Sequence, residues 1–140
     1  FPLPLVAACT GHAIAMGAFI VLACDTRIGT RGNYKVTLPE TAIGMELPAL
    51  LLELTASRIP PHFMTRVAIQ SEVFDPDRAV AAGFLDEVVD AQEIDARALA
   101  VAQKLAQLPR QHYAANKLFA RKKVLHAMAE GLETMIARAP

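Results

Sequence analysis

GHAIAMGAFIVLACD, residues 11–25, is an almost uninterrupted apolar run with a glycine at its start, a second glycine inside it and a single aspartate at its end. A membrane-crossing helix needs about 20 apolar residues, and this run is shorter. It lies inside the chain, lacks the basic flank and small-residue cleavage site of a signal peptide, and is followed at once by Thr26 and Arg27. It therefore reads as a buried core element. From Met16 to Cys24 every residue is apolar or small, so periodicity does not separate strand from helix; the alanines and the glycine start favour a fully buried helix.

Outward from this run, Leu5–Cys9 is a short apolar segment closed by Thr10 and Gly11, as suits a buried strand that ends in a tight turn. Arg27–Thr30 and Tyr34–Leu38 are strand candidates parted by the turn signal RGN. LPALLLELTASRI (47–59) and PPHFMTRVAIQS (60–71) read as helices with proline near the first turn. In FDPDRAVAAGFLDEVV, Asp75-Pro76 starts a helix, Gly83 stops it, and a short strand follows. The stripe Ile94, Ala98, Val101, Ala102 and Leu105 marks an amphipathic helix that ends before Pro109, and residues 110–137 read as one more long helix. Strands early and helices late give an α/β fold with a helical C-terminal part. The expected division is 1–89 for the core and 90–140 for the helical region.

The composition is that of a globular domain: 54% hydrophobic, 20% charged, with 14 basic residues against 14 acidic ones. The balance argues against a polyanionic partner, and the basic cluster at 120–126 reads as the solvated side of a helix, so neither nucleic acid nor a membrane is expected. Cys9 and Cys24 sit in apolar surroundings and read as reduced core thiols, which places the protein in the cytoplasm. The 140 residues suffice for one domain. The chain opens on Phe1 and enters a strand-like run at once, and is read as part of a longer protein.

A buried strand, a glycine turn and a helix N-terminus gather unpaired backbone N–H groups around Ala15–Ala18 at the positive end of the helix dipole. Such a turn can hold a phosphate or the negative oxygen that develops on a thioester carbonyl during enolate formation. The Lys-Ser/Thr pair of a phosphate loop is missing. The alternative is that Gly17 merely allows close packing.

The order of separated motifs adds to this. The strand, the GHAIAMGAF turn, the ACDTRI exit, LPE at 38–40, AIGMELP at 42–48 and the later FDPDRAVAAGFLDEVVD together resemble the crotonase superfamily, the enoyl-CoA hydratases and isomerases. That resemblance, which spans nearly the whole chain, implies a spiral of ββα turns followed by helices that mediate trimer formation, often as a dimer of trimers. It implies an acyl-CoA substrate, no cofactor beyond the coenzyme A of that substrate, and an oxyanion hole of two backbone N–H groups. One donor falls at Met16, where the family usually has glycine, with Gly17 beside it. The other belongs to an earlier segment of the family fold that this sequence does not contain.

Hydratases of the family use two glutamates. Here the first position falls on Phe19, which neither activates water nor donates a proton, and the second is Glu40. One glutamate beside an oxyanion hole resembles instead the Δ3-Δ2-enoyl-CoA isomerases, in which it takes a proton from C2 and returns one at C4. An enoyl-CoA hydratase and a non-catalytic acyl-CoA-binding subunit are the alternatives, and for Glu40 itself a capping carboxylate after Pro39. His12, Phe19 and Glu46 are expected in the substrate pocket, with the start of the next helix an equal reading for Glu46. His62, His112 and His126 have no second ligand at i+4, so no metal site is expected.

Overall fold

The computed structural model describes residues 1–137. Val6–Cys9 forms strand β1, and the apolar run after it divides into strand β2 (Ala13–Ile14) and helix α1 (Met16–Ala23), with Ala15 between them. Strands β3 (Thr26–Thr30) and β4 (Val36–Thr37) follow, then helices α2 (Ala49–Ala56) and α3 (Pro76–Ala81), strand β5 (Glu87–Val89), and helices α4 (Ile94–Ala106), α5 (Arg110–Ala120) and α6 (Lys122–Ala137). β1, β3 and β5 make a parallel sheet in that order, with Val6 opposite Thr26 and Ile28 opposite Glu87. β2 and β4 form a second parallel pair. Parallel neighbours need a crossover, and α1 supplies it between β1 and β3.

The core lies between these layers and the helices. Phe74, Phe84, Leu22, Ile28, Leu38, Val36 and Val67 are fully buried. Phe63 stands edge-on to Phe74 and Phe74 is tilted against Phe84, with centroids 6.2 and 5.9 Å apart, a spacing at which aromatic pairs add to area burial. The α3 signals hold: the Asp75 side chain accepts from the Arg78 N–H at 2.8 Å, Pro76 opens the helix, and Gly83 leaves it at φ 86°. A Cβ at Gly83 would lie 2.7 Å from the Pro60 ring and 3.0 Å from the Arg58 carbonyl, so only glycine fits that stop.

Three expectations need correction. Helix α1 is not buried all round: Ala18, Phe19, Val21 and Leu22 face inward, whereas Met16 is 58% and Ile20 62% exposed. A uniformly apolar helix carries no period from which its outer face is readable. Residues 60–71 do not form one α-helix but a 3₁₀ turn, Pro61–Phe63, and a five-residue π-helical turn, Thr65–Ile69. The wider turn sets both Val67 and Ala68 inside and closes with Gln70 N–H on Thr65 O at 2.9 Å. Residues 110–137 break at Arg121 (φ −99°, ψ 6°) into α5 and α6. No glycine or proline marks that break. It lets α6 lie along α2, where Gly131 approaches so closely that a Cβ would sit 2.7 Å from the Leu50 nitrogen.

Asp25, the acid that ends the opening run, ties the helices to the sheet. Its Oδ2 accepts from the Leu5 N–H at 2.8 Å and from Lys117 Nζ at 2.6 Å, and its Oδ1 from Arg121 at 2.5 Å. The Asp25 and Lys117 side chains are both buried. Burial alone would raise the Asp25 carboxyl; the Lys117 hydrogen bond, the Leu5 N–H and the Arg121 charge outweigh it and hold the group below its ordinary value. Arg121 thus leaves the solvated basic face expected for 120–126. Cys9 and Cys24 are free thiols, and burial together with the neighbouring Asp25 pushes the Cys24 thiol up, which suits an inert side chain.

Candidate functional site

The β2–β4 pair sets the site. Ala13 is opposite Val36 and Ile14 opposite Thr37, with the Ala13 N–H on Lys35 O at 2.9 Å and the Ala15 N–H on Thr37 O at 3.1 Å. The two chains leave the pair at the same end, one into Ala15-Met16-Gly17 and the other into Leu38-Pro39-Glu40.

On the first chain Ala15 holds φ 51° and ψ −121°, a conformation that opposes its Cβ and costs about 1–3 kcal/mol. The strain thus falls on Ala15 and leaves Met16 as the first residue of α1. The Ala15 carbonyl accepts the Ala18 N–H at 2.9 Å and the Phe19 N–H at 3.2 Å, and none of the hydrogen bonds among the described residues engages the Met16 or Gly17 N–H. Both donors sit at the positive end of the α1 dipole, where an anionic oxygen is favoured. A Cβ on Gly17 would meet nothing within 4 Å, so close packing within this chain does not account for that glycine.

On the second chain Glu40 is 6% exposed, and its Oε2 has no hydrogen-bond partner among the described residues. Its main chain begins a 3₁₀ turn, Thr41–Ile43, closed by Gly44 at φ 74°, with the Glu40 carbonyl accepting from Ile43 N–H at 3.2 Å and Met45 N–H at 2.8 Å. The side chain makes no capping hydrogen bond, which removes the capping reading. A buried oxygen without a partner is rare and calls for a reason. A carboxylate with an unpartnered oxygen, three residues past Thr37 on the strand that pairs in parallel with the one leading into α1, is a group that can move a proton, and unpaired N–H groups at a helix start can hold an anionic oxygen.

The expected pocket residues lie elsewhere. Phe19 is 3% exposed and packs in the central apolar cluster with Ala18 and Leu22, so its ring is a core side chain rather than a pocket wall. His12 is exposed; its Nδ1 accepts the Lys35 N–H at 2.9 Å and its ring stands edge-on to Tyr34, so it fastens the 31–35 loop. Glu46 is exposed and lines a groove of about 420 Å³ with Pro48, Gly131 and Met135, on the α6 side of the loop. Among the described residues no three or more His, Cys, Asp or Glu side chains are placed to hold a metal ion, and no helix is long and apolar enough to cross a membrane.

Ser71 and Thr37 had no sequence signal. Ser71 is, with Ala15, one of the two non-glycine residues at positive φ among the described residues, also 51°. Its Oγ accepts the Ala42 N–H at 3.2 Å, in the turn just after Glu40, and its carbonyl lies 3.4 Å from the Thr37 hydroxyl.

The backbone is that of the crotonase fold. It matches an enoyl-CoA hydratase/isomerase family protein from Pseudomonas syringae with a TM-score of 0.93 at 40% sequence identity, over 95% of this chain and 58% of that one. The family model for enoyl-CoA hydratase/isomerase matches residues 1–137, and the chain belongs to that family. It is 32% identical over 106 residues to human enoyl-CoA delta isomerase 1, mitochondrial, covering 74% of this chain and 35% of that protein. Against a probable enoyl-CoA hydratase, echA17, of Mycobacterium avium it is 30% identical over 116 residues, 83% of this chain and 45% of that protein. The chain spans less than half the length of the curated relatives it matches.

Proposed function

We propose that the protein is an enzyme acting on acyl-CoA thioesters, and that it moves a double bond from the Δ3 to the Δ2 position with Glu40 as the acid/base. The Met16 N–H, with that of Gly17 beside it, serves in this reading as one side of the oxyanion site for the thioester oxygen, the other donor belonging to the earlier family segment that this sequence does not contain. Glu40 takes a proton from C2, the carbonyl oxygen carries the enolate charge against those donors, and the same carboxyl returns a proton at C4. Coenzyme A arrives as part of the substrate and no further cofactor is required. The observation that carries the reading is the buried, unpartnered Oε2 of Glu40 at the strand end shared with the α1 N-terminus. Phe19 favours isomerisation over hydration, because a two-carboxylate mechanism needs an acid where this chain packs an aromatic ring into its core. The free thiols suit a reducing compartment, the cytoplasm.

The test is to replace Glu40 by glutamine and follow conjugation of a 3-enoyl-CoA with its thioester. A positioned acid/base contributes roughly 10²- to 10⁴-fold, so turnover should fall by about that factor while acyl-CoA affinity stays within a few-fold. Unchanged turnover in the glutamine variant would end the assignment, and water addition to a 2-enoyl-CoA as the faster reaction of the parent protein would replace isomerase by hydratase.

A further inference from the structure

The two non-glycine residues with positive φ among the described residues, Ala15 and Ser71, lie far apart in sequence, yet both hydrogen-bond to Thr37. Thr37 is buried, stands three residues before Glu40, takes the Ala15 N–H on its carbonyl at 3.1 Å, and offers its hydroxyl to the Ser71 carbonyl at 3.4 Å. The Ser71 segment is itself pinned to β4 by a two-bond antiparallel bridge, Val36 N–H to Phe74 O at 2.9 Å and Phe74 N–H to Val36 O at 3.0 Å. From that fixed point Ser71 Oγ reaches the Ala42 N–H at 3.2 Å. That donor is in the first turn after Glu40 and would otherwise have only water. A strained backbone persists where the surroundings over-determine it, and it clusters where geometry matters. Glycine would adopt φ 51° without that strain, but it has no hydroxyl to give the turn.

We propose that Ser71 is a positioning residue for Glu40: its left-handed backbone aims the hydroxyl at the Ala42 N–H and so fixes the turn that holds the Glu40 carboxylate at the end of β4. This rests on Glu40 being the base. Ser71 does not touch the reacting atoms. Its effect is on how often the carboxylate stands where it can take the proton, and a displacement of 1 Å far from the chemistry can cost about 10²-fold.

Two variants of the full chain separate this role from a merely structural one. Ser71→Gly relieves the strained backbone and deletes the acceptor; Ser71→Asn tolerates the left-handed region and restores an acceptor oxygen. In Ser71→Gly the expected results are thermal stability equal to or above the parent, faster amide hydrogen exchange at Ala42, and kcat for 3-enoyl-CoA isomerisation lower by roughly tenfold with KM unchanged. Ser71→Asn should recover most of the lost kcat and of the Ala42 protection. Unaltered Ala42 exchange in Ser71→Gly would overturn the proposal, as would parental kcat in that variant when Glu40→Gln is inactive, a result that leaves the base assignment standing. Full activity of Glu40→Gln would remove the base, and with it anything for Ser71 to position, while Ala42 exchange would still report the hydrogen bond.

Discussion

Phe19 and Glu40 show how differently two candidate site residues are written in the sequence. Glu40 was legible through the family resemblance of LPE at 38–40; that its side chain is buried with one oxygen unpartnered was not. Phe19 was legible as the loss of an acid but not in its orientation. It lies in a segment with no polar residue to mark an outer face, so whether the ring meets a pocket or the core depends on what packs against α1. The structure puts it in the core. Phe19→Glu is therefore expected to lower stability by about 3–5 kcal/mol, the range for removing a large buried side chain, with a further loss if the carboxylate stays charged among apolar neighbours. Thermal melting of the purified variant is the check, and a parental midpoint would move Phe19 out of the core. The strained pair Ala15 and Ser71 had no signature at all, because glycine is the residue whose presence announces a positive φ, and neither is glycine.

At the scale of elements, what could be read depended on whether a segment had two unlike faces. The stripe expected on α4 is the observed one: Ile94 is buried, Ala98, Val101, Ala102 and Leu105 are half-buried, and the helix lies against β1 and β3. The division between α5 and α6 was not readable, since no breaking residue marks it; it falls at Arg121, whose side chain reaches Asp25. The Asp25 cluster at that break makes a measurable pH dependence. The carboxyl is held below the ordinary aspartate value of 3.8, so the folded state gains stability from its ionisation. That contribution is fully present above pH 3.8 and is lost as pH falls through the lower folded value. Stability measured by denaturant titration should thus decline with acidification below about pH 4, and in Asp25→Asn the slope in that interval should flatten. The variant should also be less stable at neutral pH by about 3–5 kcal/mol, because the buried Lys117 ammonium loses its counter-charge. An unchanged acid slope in Asp25→Asn would assign the effect to other carboxylates.

For the molecule as a whole, the helices α5 and α6 leave Leu118, Phe119, Leu125, Leu132, Met135 and Ile136 exposed, Phe119 at 83%. Contiguous apolar patches beyond a few hundred Å² are uncommon on soluble monomers, and closed cyclic symmetry would cover the same patch on each copy. The proposed assembly is a homotrimer or a hexamer of two trimers, and light scattering of the protein at micromolar concentration should find one of these species; a well-behaved monomer would refute it. The parallel pairing of β2 with β4 also dictates where this polypeptide tolerates a change of length. The tip at 32–33 is exposed and lies ahead of the first paired residue of β4, so a residue added there lengthens a loop and leaves both strand ends where they were. The same residue added between Thr37 and Glu40 would move the carboxylate off the strand end while the helix start stayed fixed. Two insertions a few positions apart would thus have opposite fates, one lost in solvent and the other felt, in the proposed reaction, as a miscount between proton and charge.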